Sequence, residues 1–172
     1  MNIKANQFID YFSEITDPRL ETKNRRYEFK EILTLVIVAA ICGADNWAEI
    51  EAFGKARLKL LRALFPYKNG VPSHDTLGSI FSRLCPKEFQ RCFLVWMNTI
   101  AAASNEAIMA IDIKALRRSY RNTYDGKSVI YMVDAWTSHN EETLAKYKKY
   151  QKSKKATPIL ELLQRLGLLD VY

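Results

Sequence analysis

The sequence predicts an α+β protein, with an all-helical domain over residues 1–105 followed by a β/α unit over residues 106–172. In the first part, apolar residues recur at the i, i+3, i+4 spacing that places them on one side of an α-helix. In the second part, residues 107–111 and 128–136 form short apolar runs, the second of them rich in β-branched and aromatic side chains, as is typical of strands. The Asp-Gly pair at residues 125–126 is typical of a hairpin turn between them.

The helical part is expected to contain about five helices, bounded by residues that favour helix starts and ends. The expected helices span residues 8–15, 27–44, 47–64, 73–84 and 86–104. Pro18 is expected to stop the first helix, because the residue before a proline is pushed out of helical geometry. Gly43 is suited to end the second helix. Ser73 is suited to cap the fourth, and Pro86 begins the fifth, where its missing N–H costs nothing.

The second and third helices carry further expectations. The second half of the second helix is apolar on every side, so this helix should lie centrally among the others. Asn46 and Glu49 have the spacing of a capping box for the third helix, and Gly54 is expected to split or kink it. The longest apolar run, residues 32–42, is eleven residues long, whereas a membrane span needs about 20. We therefore expect a soluble, cytoplasmic protein with no membrane partner.

The chain is basic, with 26 Lys and Arg against 19 Asp and Glu, a net charge of +7 and a pI of about 9.3. This balance suits binding to nucleic acid or to an anionic membrane surface, although a solvated surface of mixed charge would also produce it. The lysine-rich stretch at residues 146–155 is equally consistent with a phosphate-contacting patch and with a solvated face. The odd number of cysteines, without a CxxC pair, argues against a zinc site.

The predicted helix that begins after Ser73 is a first candidate for DNA contact. Its polar residues Ser79, Ser82 and Arg83 lie opposite its apolar stripe, as they would in a recognition helix. The alternative is an ordinary core helix with a solvated outer face. Arg83 and the nearby Lys87 are the candidate DNA-binding residues of this region.

A second candidate site begins at Asp112, which closes the apolar run at residues 107–111. A carboxylate at the end of a strand can bind Mg²⁺, which takes oxygen ligands. An Asp in such a place is, however, more often a turn or capping residue. Four basic residues that could contact phosphates follow it: Lys114, Arg117, Arg118 and Arg121.

Four strings, in the same order along the chain, resemble the insertion-sequence transposases of the H-repeat-associated family. They are YFSEITDPR at residues 11–19, ICGADNWAEIEAFGKARLKLLR at 41–62, NGVPSHDTLGSIF at 69–81 and AIDIKALRRSY at 110–120. The resemblance implies a DDE transposase that acts on duplex DNA at the ends of an insertion sequence. It also implies a helical N-terminal domain ahead of a ribonuclease-H-like catalytic domain.

The resemblance gives Asp112 a catalytic role, because it matches the first of three carboxylates that hold two divalent metal ions, with Mg²⁺ expected for the family. The family's Asp-Gly-Lys-Thr string is altered here, since Ile113 and Ala115 replace its Gly and Thr. No residue convincingly matches the second and third carboxylates, and lysines stand in a segment that is acidic in the family. We therefore expect a truncated ribonuclease-H-like unit that does not bind Mg²⁺ productively.

The favoured function is thus a transposase-derived DNA-binding protein that is catalytically inactive, located in the cytoplasm and at the nucleoid when bound to DNA. A missing strand would leave an unpaired sheet edge, so self-association is a further expectation. No small-molecule substrate is expected. The alternative function is a small helical module that binds a protein partner or acts as a regulator, and such a module would show little salt-dependent binding to duplex DNA.

Overall fold

The computed structural model describes residues 3–19 and 25–103, and every regular element within them is an α-helix. The helices, in chain order, are α1 (Ile3–Asp10), α2 (Phe29–Ile41), α3 (Trp47–Ala56), α4 (Leu58–Leu64), α5 (His74–Phe81) and α6 (Pro86–Ala103). The prediction of a helical region without strands is confirmed for these residues. The predicted β/α unit at residues 106–172 lies outside the described part of the chain.

Helix α2 lies at the centre of the described domain, as its sequence predicts. Every residue from 31 to 41 is buried, so no side of this stretch faces water. The helix ends in a Schellman motif at Gly43, whose φ of +92° is easily reached only by a residue without a side chain. The N–H of Ala44 donates to the carbonyl of Ala39 at 3.0 Å, and the N–H of Gly43 donates to that of Ala40 at 2.8 Å.

Helix α1 ends at Asp10, earlier than expected, and the chain continues in tighter turns. The N–H of Phe12 donates to the carbonyl of Ile9 at 2.9 Å, and that of Ile15 donates to the carbonyl of Phe12 at 3.1 Å. These bonds to the third preceding residue keep the chain coiled after the α-helix stops. The predicted apolar stripe is therefore preserved, with Phe8, Phe12 and Ile15 all buried.

An aromatic cluster joins α1 and the turns after it to α6. The centre of the Trp96 ring lies 4.7 Å from the centre of the Phe8 ring and 5.8 Å from that of the Phe12 ring, with edge-on geometry in both pairs. Phe93 lies 5.9 Å from Trp96 and 5.8 Å from Phe89. Large aromatic side chains bury much apolar area and prefer these tilted or offset arrangements. The cluster fixes the N-terminal helix against the rest of the domain.

The break between α3 and α4 lies at Arg57 and not at Gly54, where the sequence predicts it. Arg57 leaves helical geometry, with φ −113° and ψ 19°, whereas α3 continues through Gly54. A Cβ on Gly54 would lie 2.7 Å from Cγ1 of Val71 and 2.9 Å from Cδ1 of Leu35. The glycine therefore allows α3 to approach α2 and the segment before α5 closely, and it does not bend the helix.

A buried carboxylate connects α2 to the turn that follows α4. Oε1 of Glu31 accepts a hydrogen bond from the N–H of Tyr67 at 2.6 Å, and the Tyr67 hydroxyl donates to the carbonyl of Glu31 at 2.7 Å. Tyr67 has a φ of +43°, an uncommon value for a residue with a large side chain. In the same turn, the side-chain amide of Asn69 donates to the carbonyl of Arg26. The turn thus holds the backbone that carries Arg26.

Candidate nucleic-acid interface

An open groove with a volume of about 910 Å³ runs between the segment before α2, helix α3 and helix α5. Its charged lining consists of five basic side chains, Arg19, Arg25, Arg26, Lys55 and Arg83, and two acidic ones, Glu51 and Asp75. The hydroxyls of Ser73, Thr76 and Ser79 also line it. Cations and hydroxyl groups are the side chains that commonly contact nucleic-acid phosphates.

One wall of the groove is held by Asp17. Its carboxylate accepts a hydrogen bond from the guanidinium of Arg19 at 2.7 Å and lies 3.3 Å from that of Arg25. Partial burial raises the pKa of Asp17, but the hydrogen bonds from Arg19 and the charges of Arg19 and Arg25 together outweigh this effect and leave the pKa below its ordinary value. Arg19 also donates to the carbonyl of Tyr27 at 2.7 Å, so this arginine fixes the backbone before α2.

Helix α5 forms another wall of the groove. Ser73 caps it by accepting from the N–H of Thr76, as the sequence predicts. Its inner face is buried at Leu77, Ile80 and Phe81. Its outer face is polar, so α5 is a helix of the core that also presents hydroxyl and charged groups to the groove.

Arg83 lies in the turn just after α5 and is held against the end of this outer face. Its Nε donates to the carbonyl of Ser79 at 3.0 Å, and a second guanidinium nitrogen lies 3.4 Å from the Ser79 hydroxyl. These bonds do not compensate the charge of Arg83, because a neutral carbonyl and a hydroxyl accept them, and no carboxylate in residues 3–19 or 25–103 is within ion-pair distance of it. The outer face is thus suited to bind an anion at this end.

A network of ionisable groups joins α3 to the start of α5. Oε2 of Glu51 accepts from both the N–H and Nδ1 of His74, each at 2.7 Å, and Oε1 accepts from Lys55 at 2.5 Å. Nε2 of His74 lies 3.4 Å from the carboxylate of Asp75. The bonds from Lys55 and His74 lower the pKa of Glu51 to about 2.

The basic residues of the groove fall into two groups. Arg19, Arg25 and Lys55 are each within ion-pair distance of a carboxylate, on Asp17 or Glu51. Within residues 3–19 and 25–103, Arg26 and Arg83 have no such pairing. The guanidinium of Arg26 lies 5.5 Å from the centre of the Tyr27 ring, a cation–π contact that leaves its charge available to an anion.

The structure places one of the two candidate DNA-binding residues of this region in the groove. Arg83 lines it, whereas Lys87 is exposed on the first turn of α6, outside the lining. The remaining candidates lie outside the described residues: Lys114, Arg117, Arg118, Arg121 and the catalytic and metal candidate Asp112. Across the described ranges, no cluster of three His, Cys, Asp or Glu side chains could hold a metal ion.

The basic residues on the opposite side of the groove from Arg83 are not among the candidates predicted from the sequence. The segment at residues 19–26, which contains Arg19, Arg25 and Arg26, reads as a basic loop, and its four basic residues are the only signal of it in the sequence. Lys55 is likewise absent from the sequence-derived candidates.

None of the helices in the described part of the chain is long and apolar enough to span a membrane.

Residues 9–97 match the model of a protein family described as DDE_Tnp_1-associated. The chain belongs to this family. The match covers α2 to α5, most of α6 and all the groove residues, so the groove is part of the family's domain. The resemblance to H-repeat-associated transposases predicted from the sequence is confirmed by this match and by the relatives below. No solved structure matches the chain.

The similarity to individual proteins covers more of the chain than the family domain does. An H repeat-associated putative transposase, YhhI of Escherichia coli K12, is 31% identical over 96% of the chain and 43% of its own length. A putative transposase, YncI of E. coli O157:H7, is 36% identical over 96% of the chain and 42% of its length. The H repeat-associated putative transposase YbfD of E. coli K12 is 31% identical over 96% of the chain and 65% of its own length. The chain therefore spans less than half the length of the first two of these relatives.

Proposed function

We propose that the helical domain is a duplex-DNA-binding module of an insertion-sequence transposase, and that the groove between α3 and α5 is its contact surface. The observation that carries this proposal is the pair of guanidinium groups on the same groove, Arg26 and Arg83, that have no carboxylate partner among the described residues. The ends of the parent insertion sequence are the proposed target.

The energetics of phosphate binding favour this assignment. A cation already paired with a carboxylate must lose that partner before it can pair with a phosphate, whereas an unpaired cation needs only to displace water and counterions. DNA carries a dense row of phosphates, and each contact with Lys or Arg releases condensed counterions into solution. Arg26 and Arg83 are therefore the residues of this groove that contribute most to DNA affinity, while Arg19 and Arg25 maintain its shape.

The surface of the described residues supports DNA over a protein partner. Among them, Val95 is the one large hydrophobic side chain that is exposed, at 51%. Stable protein interfaces place aromatic and aliphatic side chains at a desolvated centre. A single valine does not supply such a centre, whereas the groove supplies the charge that DNA requires. The helical protein-interaction module is the second candidate, and the experiment below distinguishes it.

The test compares two charge reversals that lie close together in the sequence. We expect Arg83→Glu to weaken binding to a labelled duplex roughly tenfold or more at 0.1 M salt, and to lower the slope of log affinity against log salt by about 1. Lys87→Glu should have an effect of less than about threefold if the contact is confined to the groove, because solvent and salt screen charges outside it. Arg62→Glu, on the exposed surface of α4 and outside the groove, is the matched control.

Three outcomes of this comparison carry different conclusions. Equal losses for Arg83→Glu and Lys87→Glu would extend the contact surface onto α6. Equal losses for all three variants would mean that only overall charge matters. An absence of salt-dependent binding by the unsubstituted protein would reject DNA binding and favour the protein-partner module. A duplex with the ends of the parent element, compared with a scrambled duplex of equal length, tests the proposed target.

We further propose that a polypeptide of these 172 residues does not cleave DNA by itself. Asp112 would be its one ligand from the family's set, and two-metal catalysis needs several carboxylates converging on ions about 4 Å apart. Mg²⁺ dehydrates reluctantly, so one carboxylate does not retain it tightly. We expect no strand cleavage of an end-bearing duplex with Mg²⁺ or Mn²⁺, measured on a denaturing gel. Cleavage that disappears in Asp112→Ala would contradict the proposal.

A further inference from the structure

The side chain of His74 is not part of the groove lining, but it lies between two carboxylates that are. Its Nδ1 is 2.7 Å from Oε2 of Glu51, and its Nε2 is 3.4 Å from Oδ1 of Asp75. Glu51 and Asp75 both line the groove. The imidazole is about half exposed, so protons exchange freely with solvent.

The geometry favours a particular protonation state. A carboxylate only accepts hydrogen bonds, so each imidazole nitrogen that faces one must carry a proton to interact favourably. A neutral imidazole has a single N–H and can satisfy only one of Glu51 and Asp75. The imidazolium has two, so it donates to Glu51 and also presents an N–H to Asp75 within ion-pair distance. The arrangement therefore favours the charged form of His74.

We propose that protonation of His74 controls the DNA affinity of the groove, with the imidazolium form binding more tightly. This inference rests on the proposed function of the groove. In the charged form, His74 offsets the two carboxylates that line the groove and would otherwise repel phosphates. When it loses its proton, the two carboxylates lose the positive charge beside them, while Glu51 remains ionised.

The charged groups around His74 determine the direction of the effect. Those that act on His74 are Glu51 and Lys55 on α3 and Asp75 on α5. Arg26, before α2, and Arg83, after α5, are further cations of the same groove. The hydrogen bond with Glu51, together with the charge of Asp75, raises the pKa of His74 above its ordinary value of 6.5, against the opposing effects of desolvation and Lys55. His74 is therefore the group of the Glu51–His74 pair that changes charge near neutral pH.

We expect the affinity of the groove for DNA to fall as the pH rises. Below the pKa of His74 the groove carries the imidazolium and binds DNA in its stronger form. As the pH rises through that pKa the affinity falls, and we expect a decrease of about fivefold, the lower end of usual coupling between sites because His74 is partly screened by solvent. By reciprocity, bound DNA raises the pKa of His74 further.

The test uses the two histidines of the full chain, His74 and His139. The dissociation constant for a labelled duplex is measured from about pH 5.5 to about pH 8.5 at constant ionic strength, the range in which histidine titrates. We expect the pH dependence in the unsubstituted protein and in His139→Gln, and its loss in His74→Gln. Glu51→Gln should move the midpoint to lower pH, because it removes the carboxylate that stabilises the imidazolium. Thermal melting of each variant confirms that it is folded.

A second measurement separates this inference from the proposed function. The pKa of His74, followed by NMR and assigned with His74→Gln, should lie above its ordinary value in the free protein and rise when DNA is added. DNA binding that is equally strong at every pH would overturn the inference and leave the proposed function intact. A raised pKa without DNA binding at any pH would reject both the proposed function and the control of it by His74.

Discussion

Replacing Trp96 with alanine is expected to lower the free energy of unfolding by about 3–5 kcal/mol, the usual cost of truncating a large buried aromatic residue. Trp96 is 2% exposed, and its ring contacts those of Phe8, Phe12 and Phe93. The substitution would leave a cavity between α1 and α6 that neither helix can close without moving. Since domains are stable by only about 5–15 kcal/mol, a large part of the stability would be lost.

Val95 offers a matched control on the same turn of α6. Its side chain is 51% exposed, so Val95→Ala should change the free energy of unfolding by no more than about 0.5 kcal/mol. Denaturant unfolding followed by circular dichroism gives both values. A loss below about 1 kcal/mol for Trp96→Ala would contradict the packing of α1 and its following turns on α6.

Replacing Glu31 with leucine is expected to cost about 1–3 kcal/mol, because the N–H of Tyr67 would be left buried without an acceptor. Leucine has a similar volume, so the loss of the hydrogen bond dominates over the creation of a cavity. Glu31→Gln is the control, since its side-chain oxygen can still accept the bond, and it should cost less than about 1 kcal/mol. Equal losses in the two variants would show that the charge of Glu31, rather than its hydrogen bond, stabilises the turn.

The Glu31 substitution also has an expected effect on the groove. The turn that Glu31 holds at Tyr67 includes Asn69, whose amide bonds to the carbonyl of Arg26. If the turn becomes mobile, Arg26 loses a support for its backbone. The leucine variant should therefore bind DNA more weakly than the glutamine variant at a temperature where both remain folded, as measured by the same duplex titration.

The helices could be predicted from sequence because the signals that define them are local. The caps at Asn46 and Ser73, the proline at the start of α6 and the glycine after α2 all act within a few residues. Gly54 could not be interpreted in this way, because its role depends on contacts with Val71 and Leu35, which come from other segments. The sequence shows that Gly54 lacks a side chain, but it does not show which side chains pack against the glycine in the fold.

The site shows the same division. Arg83 could be found from the sequence, because helical periodicity places it opposite the apolar stripe of the helix predicted over residues 73–84, although α5 itself ends at Phe81. Arg26 could not, because its position depends on the distant Asn69. The sequence also does not distinguish Arg26 from Arg19, since the pairing of Arg19 with Asp17 becomes evident only from the folded geometry.

The burial of α2 on every side has a consequence for how the domain opens. A surface helix can fray or detach locally while the rest of a protein stays folded, and its amide hydrogens then exchange with water. Residues 31–41 have no outward face from which such a local opening could start. Their amides should exchange only when the surrounding helices separate, so the slowest hydrogen exchange along α2 reports the stability of the whole described domain.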